Sequence, residues 1–160
     1  MPDYPVTPAV RVLRERMIAF TPHLYAYEEH GGTRVSASAL GFPEHQIIKT
    51  LVMQTDERKH LLVLMHGDRE VSTKELARVL GVKRVDPADE AGAQRQTGYQ
   101  FGGTSPFGTR HPLPVYAEET IFDLPSILIN GGKRGFLVEI APAELLSAFP
   151  VVKVCVGITP

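Results

Sequence analysis

A chain of 160 residues with 43% hydrophobic content is long enough for one well-buried core and short for two, so a single domain over 1–160 is the expectation. Lysine plus arginine (17) nearly cancels aspartate plus glutamate (18), and the formal net charge of −1 excludes the global basic field of a general nucleic-acid binder; any such contact must be local. One cysteine, Cys155, excludes an internal disulfide framework and fits a reducing compartment, and no leader pattern or apolar run near the ~20 residues of a membrane span occurs, so the reading is a cytoplasmic chain without a membrane partner.

Thr7-Pro8 is an N-cap and N1 pair ahead of Val10, Leu13 and Met17, which predicts a first helix to about Met17. Phe20 to Glu28 holds Leu24 and Ala26 with alternating Tyr25 and Tyr27, which suits a strand with its aromatic groups on one face. Val35 to Leu40 is a short helix closed by Gly41, and Pro43 marks the following break. Ile47 to Gln54 and His60 to Met65 form the clearest strand pair; the second is apolar almost throughout and should be buried on both faces. Ser72-Thr73-Lys74-Glu75 is a capping box before Leu76, Val79 and Leu80, with Gly81 as the C′ residue. Val82 to Val85 reads as a short strand, and Asp86-Pro87 as the opening of a helix that ends near Gly98. Strands follow near 115–117, 126–129 and 136–140, then a helix from Ala141 to Phe149 and a strand from Val151 to Ile158. Strands outnumber helices and neighbour one another in pairs. The fold class expected is therefore mixed α/β (α+β): a curved, barrel-like mixed sheet with helices packed outside, rather than a doubly wound parallel sheet.

The most shaped segment is Gln94 to Gly108, where four glycines and Pro106 surround Thr104 and Ser105. Gly98, Gly102, Gly103 and Gly108 permit positive φ, so such a loop can aim several N–H groups at one electron-rich atom. A second cluster, Gly131-Gly132-Lys133-Arg134-Gly135, adds cations to the same kind of backbone; by itself it reads either as a solvated hairpin turn or as an anion site, and its spacing is not that of a Walker A loop. On a strand, Lys49 shares a face with Ile47, Leu51 and Met53. It is then either a lysine at the sheet margin with its head in water or a cation aimed into a pocket. Protein nucleophiles are poorly supported. Cys155 sits in an apolar strand pattern and reads as a buried small hydrophobe, and Ser105 precedes Pro106 outside any nucleophile elbow. The six histidines form no metal-binding spacing, so neither a metal nor a cofactor is expected. What remains is polarisation by backbone donors and a positioned cation, acting on a substrate that carries its own nucleophile.

Ile48-Lys49-Thr50-Leu51-Val52, Gln94 to Tyr99, Gly102 to Gly108 and Gly131 to Gly135 stand in the order and spacing of the YbaK/EbsC family. From Thr7 through the final helix the chain resembles these free-standing relatives of the prolyl-tRNA synthetase editing domain. The resemblance implies a distorted mixed β-barrel with surrounding helices. It implies removal of a wrongly attached small amino acid, cysteine or alanine in type, from tRNA for proline, with the acceptor end of an aminoacyl-tRNA as partner and a synthetase as a further one.

Carried over by residue, it places Lys49 against the 3′ end of the tRNA. Gly102, Gly103, Thr104, Ser105 and Pro106 become the loop that holds the carbonyl and aminoacyl group. Asn130, Gly131, Gly132, Lys133 and Arg134 line the substrate, and the aromatic residue of the early strand is Tyr25 or Tyr27. Relatives commonly carry an acid where this chain has Leu137, so the site floor is expected to be more apolar and to suit alanine at least as well as cysteine. Two other readings compete: a module that binds the tRNA acceptor end or a synthetase without turnover, and a small-nucleotide binder using Lys133 and Arg134.

Overall fold

A computed structural model describes residues 3–160. In chain order these form helix α1 (Pro8–Glu15), strand β1 (Thr21–Leu24), helix α2 (Gly32–Leu40), strands β2 (Ile47–Thr55), β3 (His60–His66) and β4 (Glu70–Val71), and helix α3 (Thr73–Leu80). Strand β5 (Val85–Pro87), helix α4 (Glu90–Thr97), strands β6 (Val115–Glu118), β7 (Ile127–Lys133) and β8 (Phe136–Ile140), helix α5 (Glu144–Ala148), and strands β9 (Val151–Val154) and β10 (Gly157–Ile158) complete the chain.

The main sheet runs β1-β8-β7-β2-β3-β6-β9, with β5 added to β2, while β10 pairs with β4 in a small second sheet. β2 lies antiparallel to β3 and β5 but parallel to β7, and β3-β6-β9 is parallel throughout. The sheet is therefore mixed, as its strand-rich sequence suggests. It is open rather than a closed barrel, because β1 and β9 end the path without pairing with each other. Among the described residues no helix is long and apolar enough to cross a membrane.

Two ladders share one edge of β2. Its start pairs with β7 at Ile47 and Ile48, and its end pairs with β5 from Met53 to Thr55. Between them, residues 49–52 have no strand neighbour on that edge, apart from Ala88 N–H donating to the Val52 carbonyl. The sheet is split at Lys49.

Several boundaries differ from those the sequence suggests. Helix α1 stops at Glu15, where Ile18 N–H bonds back to the Leu13 carbonyl. That closure puts Met17 at φ 57° with its side chain in solvent, and Ile18 rather than Met17 enters the core. The early strand is only Thr21–Leu24. Asp86-Pro87 lies within β5, and the α4 cap is Asp89, whose Oδ1 accepts from Gly92 N–H at 2.6 Å. The final strand breaks after Val154, and Val154 and Val156 turn inward, which by the alternation of an extended chain turns Cys155 outward; the cysteine is exposed, not buried. The capping box does form: Ser72 Oγ accepts from Glu75 N–H, and Gly81 ends α3 at φ 70°.

Candidate functional site

A cleft of about 790 Å³ opens where β7 and β5 part along β2. Lys49, Tyr25, Tyr27, Gly102, Thr104, Asn130, Arg134 and Leu137 all line it. Residues from four distant segments of the chain thus meet on one concavity.

Lys49 is half-buried on the cleft wall. Ile47 on one side packs with Leu137, Ala37 and Tyr25, and Leu51 on the other packs into the cluster around Met53 and Val63, so Lys49 stands on the strand between two apolar groups. Burial pushes its pKa below the usual lysine range, and the negative charges of Glu70, Glu44 and Asp68 offset part of that shift.

The glycine-rich loop is built outward from α4. Gly98 takes φ 78° to end the helix, and the Tyr99 hydroxyl donates to the Phe107 carbonyl across the base of the loop. Ser105 is fully buried, and its Oγ accepts from Phe107 N–H at 3.1 Å. The serine shapes the loop instead of facing the cleft.

The loop is also tied to the turn between β7 and β8. Asn130 Nδ2 donates to the Gly102 carbonyl at 3.2 Å, and Arg134 Nε donates to the Phe101 carbonyl at 2.8 Å. Asn130 Oδ1 in turn accepts from Gly132 N–H at 2.7 Å and Lys133 N–H at 3.2 Å, so one side chain fastens its own turn and the facing loop. Gly103 allows this approach, since a Cβ there would lie 2.8 Å from the Arg134 nitrogen. The Arg134 guanidinium stands 5.0 Å from the centre of the Tyr27 ring, a cation–π geometry, and Tyr27 also packs against Gly102.

Not every residue singled out from the sequence reaches the cleft wall. Gly103, Ser105, Pro106, Gly131, Gly132 and Lys133 do not line it: the first three shape the loop, and Gly131 and Gly132 pack against Phe136, Thr7 and Tyr99. Lys133 is exposed. Of the two candidate tyrosines, Tyr25 ties its N–H to the Gly135 carbonyl while Tyr27 packs on Arg134, and both line the cleft. Leu137 is buried among Ile47, Leu128 and Ala37, which gives the floor its apolar character.

Sequence reasoning missed Phe101, Glu28, Glu29, Glu70 and Glu90, which also line the cleft. Phe101 carried a readable signal, a large ring inside a glycine-rich loop; the carboxylates come together only through the fold. His45 and His66 stack face to face at 3.7 Å and line a second cavity of about 350 Å³ that shares no lining residue with this cleft. Among the described residues no cluster of His, Cys, Asp or Glu could hold a metal ion.

Comparison with known proteins adds an independent line. The model of the aminoacyl-tRNA editing domain matches residues 30–148. A protein of Enterococcus faecalis provisionally named a Cys-tRNA(Pro)/Cys-tRNA(Cys) deacylase, EbsC, is 30% identical over 142 residues, which covers 88% of this chain and 87% of that protein. The proline–tRNA ligase of Lactobacillus helveticus is 30% identical over 103 residues, 64% of this chain but 18% of the ligase. In fold, the chain superposes with a TM-score of 0.82 on a crystal structure described provisionally as a trans-editing enzyme for prolyl-tRNA synthetase, with 24% identity over 96% of this chain and 99% of that one. It also superposes with a TM-score of 0.86 on the hypothetical protein APE2540, at 20% identity over 94% of this chain and 99% of that one. With the family model covering most of its length, the chain belongs to the aminoacyl-tRNA editing domain family.

Proposed function

We propose that the chain is a trans-acting deacylase that cleaves the ester of a mischarged small amino acid, alanine or cysteine in type, from the acceptor end of tRNA, with tRNA for proline as its carrier. The observation that carries this reading is the shared cleft: a desolvated Lys49 faces the same space as Gly102 and Thr104 of a pinned loop. Lys49 holds the phosphate or ribose of the 3′ terminus. Neither Gly102 N–H nor Thr104 N–H bonds to another described residue, whereas Gly103 N–H donates to the Gln100 carbonyl at 2.8 Å. On this reading the first two serve as the donors to a developing oxyanion, and losing one such donor costs about 3 kcal/mol of transition-state stabilisation.

No protein nucleophile is required. The ester sits beside a ribose hydroxyl, a cysteinyl group adds a thiol, and an ordered water is a third source; each gains from being held in place. Ser105 is buried behind the loop and Cys155 lies away from the cleft, which supports the assignment of attack to the substrate side. On this reading selection follows size and polarity: the apolar floor at Leu137 suits a methyl group as readily as a thiol, and discrimination against a larger cognate side chain follows the size logic of an editing site.

The deciding experiment is a panel of alanyl-, cysteinyl- and seryl-tRNA incubated with wild type and Lys49→Ala. Wild type is expected to shorten the ester half-life of a small aminoacyl group, and Lys49→Ala to lose nearly all of that acceleration. Full activity of the variant would remove Lys49 from the mechanism. A binding module without turnover is the second reading, favoured by the apolar Leu137 at the position where relatives commonly carry an acid; in that case stoichiometric protein would lengthen the half-life.

A further inference from the structure

Phe101 is a large ring with no place in the core. It is 59% exposed, it belongs to none of the three apolar clusters, and yet it lines the cleft. A ring left in water on a slack loop would call for no explanation, but the backbone beneath this one is pinned at three consecutive positions. The Phe101 carbonyl accepts from Arg134 Nε at 2.8 Å, the Gly102 carbonyl accepts from Asn130 Nδ2 at 3.2 Å, and Gly103 N–H donates to the Gln100 carbonyl at 2.8 Å.

The ring is thus held out at the rim of the cleft with its backbone already ordered. Arg134, which bonds the carbonyl of this residue, lays its guanidinium over Tyr27 and lines the same cleft. An aromatic face next to a fixed cation is the chemistry that receives an unpaired nucleobase and its adjoining phosphate.

We infer that Phe101 is the stacking platform for the 3′-terminal nucleobase of the tRNA, with Arg134 beside it to meet the backbone charge. This rests on the acceptor-end reading of the cleft and adds to it a base-recognition subsite. In this arrangement Lys49 takes the sugar-phosphate end, the glycine loop takes the aminoacyl carbonyl, and Phe101 sets the distance between them by stacking the base. Recognition through a π-face tolerates sequence, which suits a terminal base that carries no pairing partner.

The test compares a short single-stranded RNA ending in adenosine with the same RNA lacking only that terminal base, using fluorescence anisotropy. Wild type is expected to favour the base-bearing RNA about tenfold, within the range that base–aromatic stacking supplies. Phe101→Ala is expected to bind both RNAs equally, at the affinity wild type shows for the abasic one. The chain contains no tryptophan, so Phe101→Trp should restore the preference and provide a unique fluorophore, quenched by the base-bearing RNA alone. The inference is overturned if wild type does not distinguish the RNAs, or if Phe101→Ala weakens both by the same factor. On a cleavable aminoacyl minihelix, Phe101→Ala should raise KM about tenfold with kcat nearly unchanged; an equal fall in kcat with KM constant would also sink it. Should wild type cleave no ester at all, the deacylase reading fails while the RNA comparison still decides the stacking subsite.

Discussion

Lys49 shows how far a single placement can be argued. A lysine among Ile47, Leu51 and Met53 on one face of a strand is anomalous in any sequence, but its sense depends on what lies opposite. Here the opposite wall is a cleft, and burial depresses the ammonium pKa. The folded chain therefore binds fewer protons than the unfolded chain between that depressed pKa and the ordinary 10.5, and stability rises with pH across the window. At neutral pH the charge opposes folding. Lys49→Met, which extends the apolar row, should raise the urea midpoint at pH 7 while removing ester cleavage; a lower midpoint would mean that the nearby carboxylates Glu70, Glu44 and Asp68 outweigh desolvation. The activity of wild type, corrected for spontaneous hydrolysis, should likewise fall as pH rises through the depressed pKa, at a lower pH than a solvated lysine would give.

At the level of elements, the working unit is the clamp between the glycine-rich loop and the β7–β8 turn. The sequence showed both glycine clusters but left the second open between turn and anion site, because each is a local pattern compatible with either. Asn130 settles its structural role by bonding to residues on both sides of the gap. Gly103 is where that contact is tightest: an added Cβ would meet main-chain atoms of Lys133 and Arg134, which cannot rotate away as a side chain could. Gly103→Ala should therefore displace the loop and lower kcat/KM by about 100-fold, the scale of losing one oxyanion donor. A circular-dichroism melt close to wild type would show that the fold survives, and unaltered kinetics would show that the clamp does not set the donors. Elsewhere, local signals were legible to different depths. The Ser72 capping box was readable because its chemistry is complete within four residues, while Asp86-Pro87 mimicked a helix start whose residues were instead taken by the edge of β2.

For the molecule as a whole, near-neutral charge and an acidic cleft rim restrict how RNA can bind. Lys49 and Arg134 on the cleft and Lys133 beside it are the cations at hand, against Glu28, Glu29, Glu70 and Glu90. Three phosphate contacts to a single-stranded end correspond to a log–log salt slope of about −2. Titrating tRNA binding between low and physiological salt should give that shallow dependence; a slope beyond about −4 would require a second basic face that engages the body of the tRNA.

The sequence by itself determined the mixed class, the secure helices and the strand pair, and it singled out the residues proposed to polarise an ester. These rest on period, capping and turn chemistry, all of which act within a few residues. Tertiary structure alone decided that β7 and β5 divide the edge of β2 at Lys49, that Asn130 reaches Gly102 across 28 positions of chain, and that Ser105 and Cys155 are turned away. It also brought Phe101 and the four carboxylates to one cleft. Such placements depend on strand partners far apart in the chain, and no local rule of periodicity or capping carries that information.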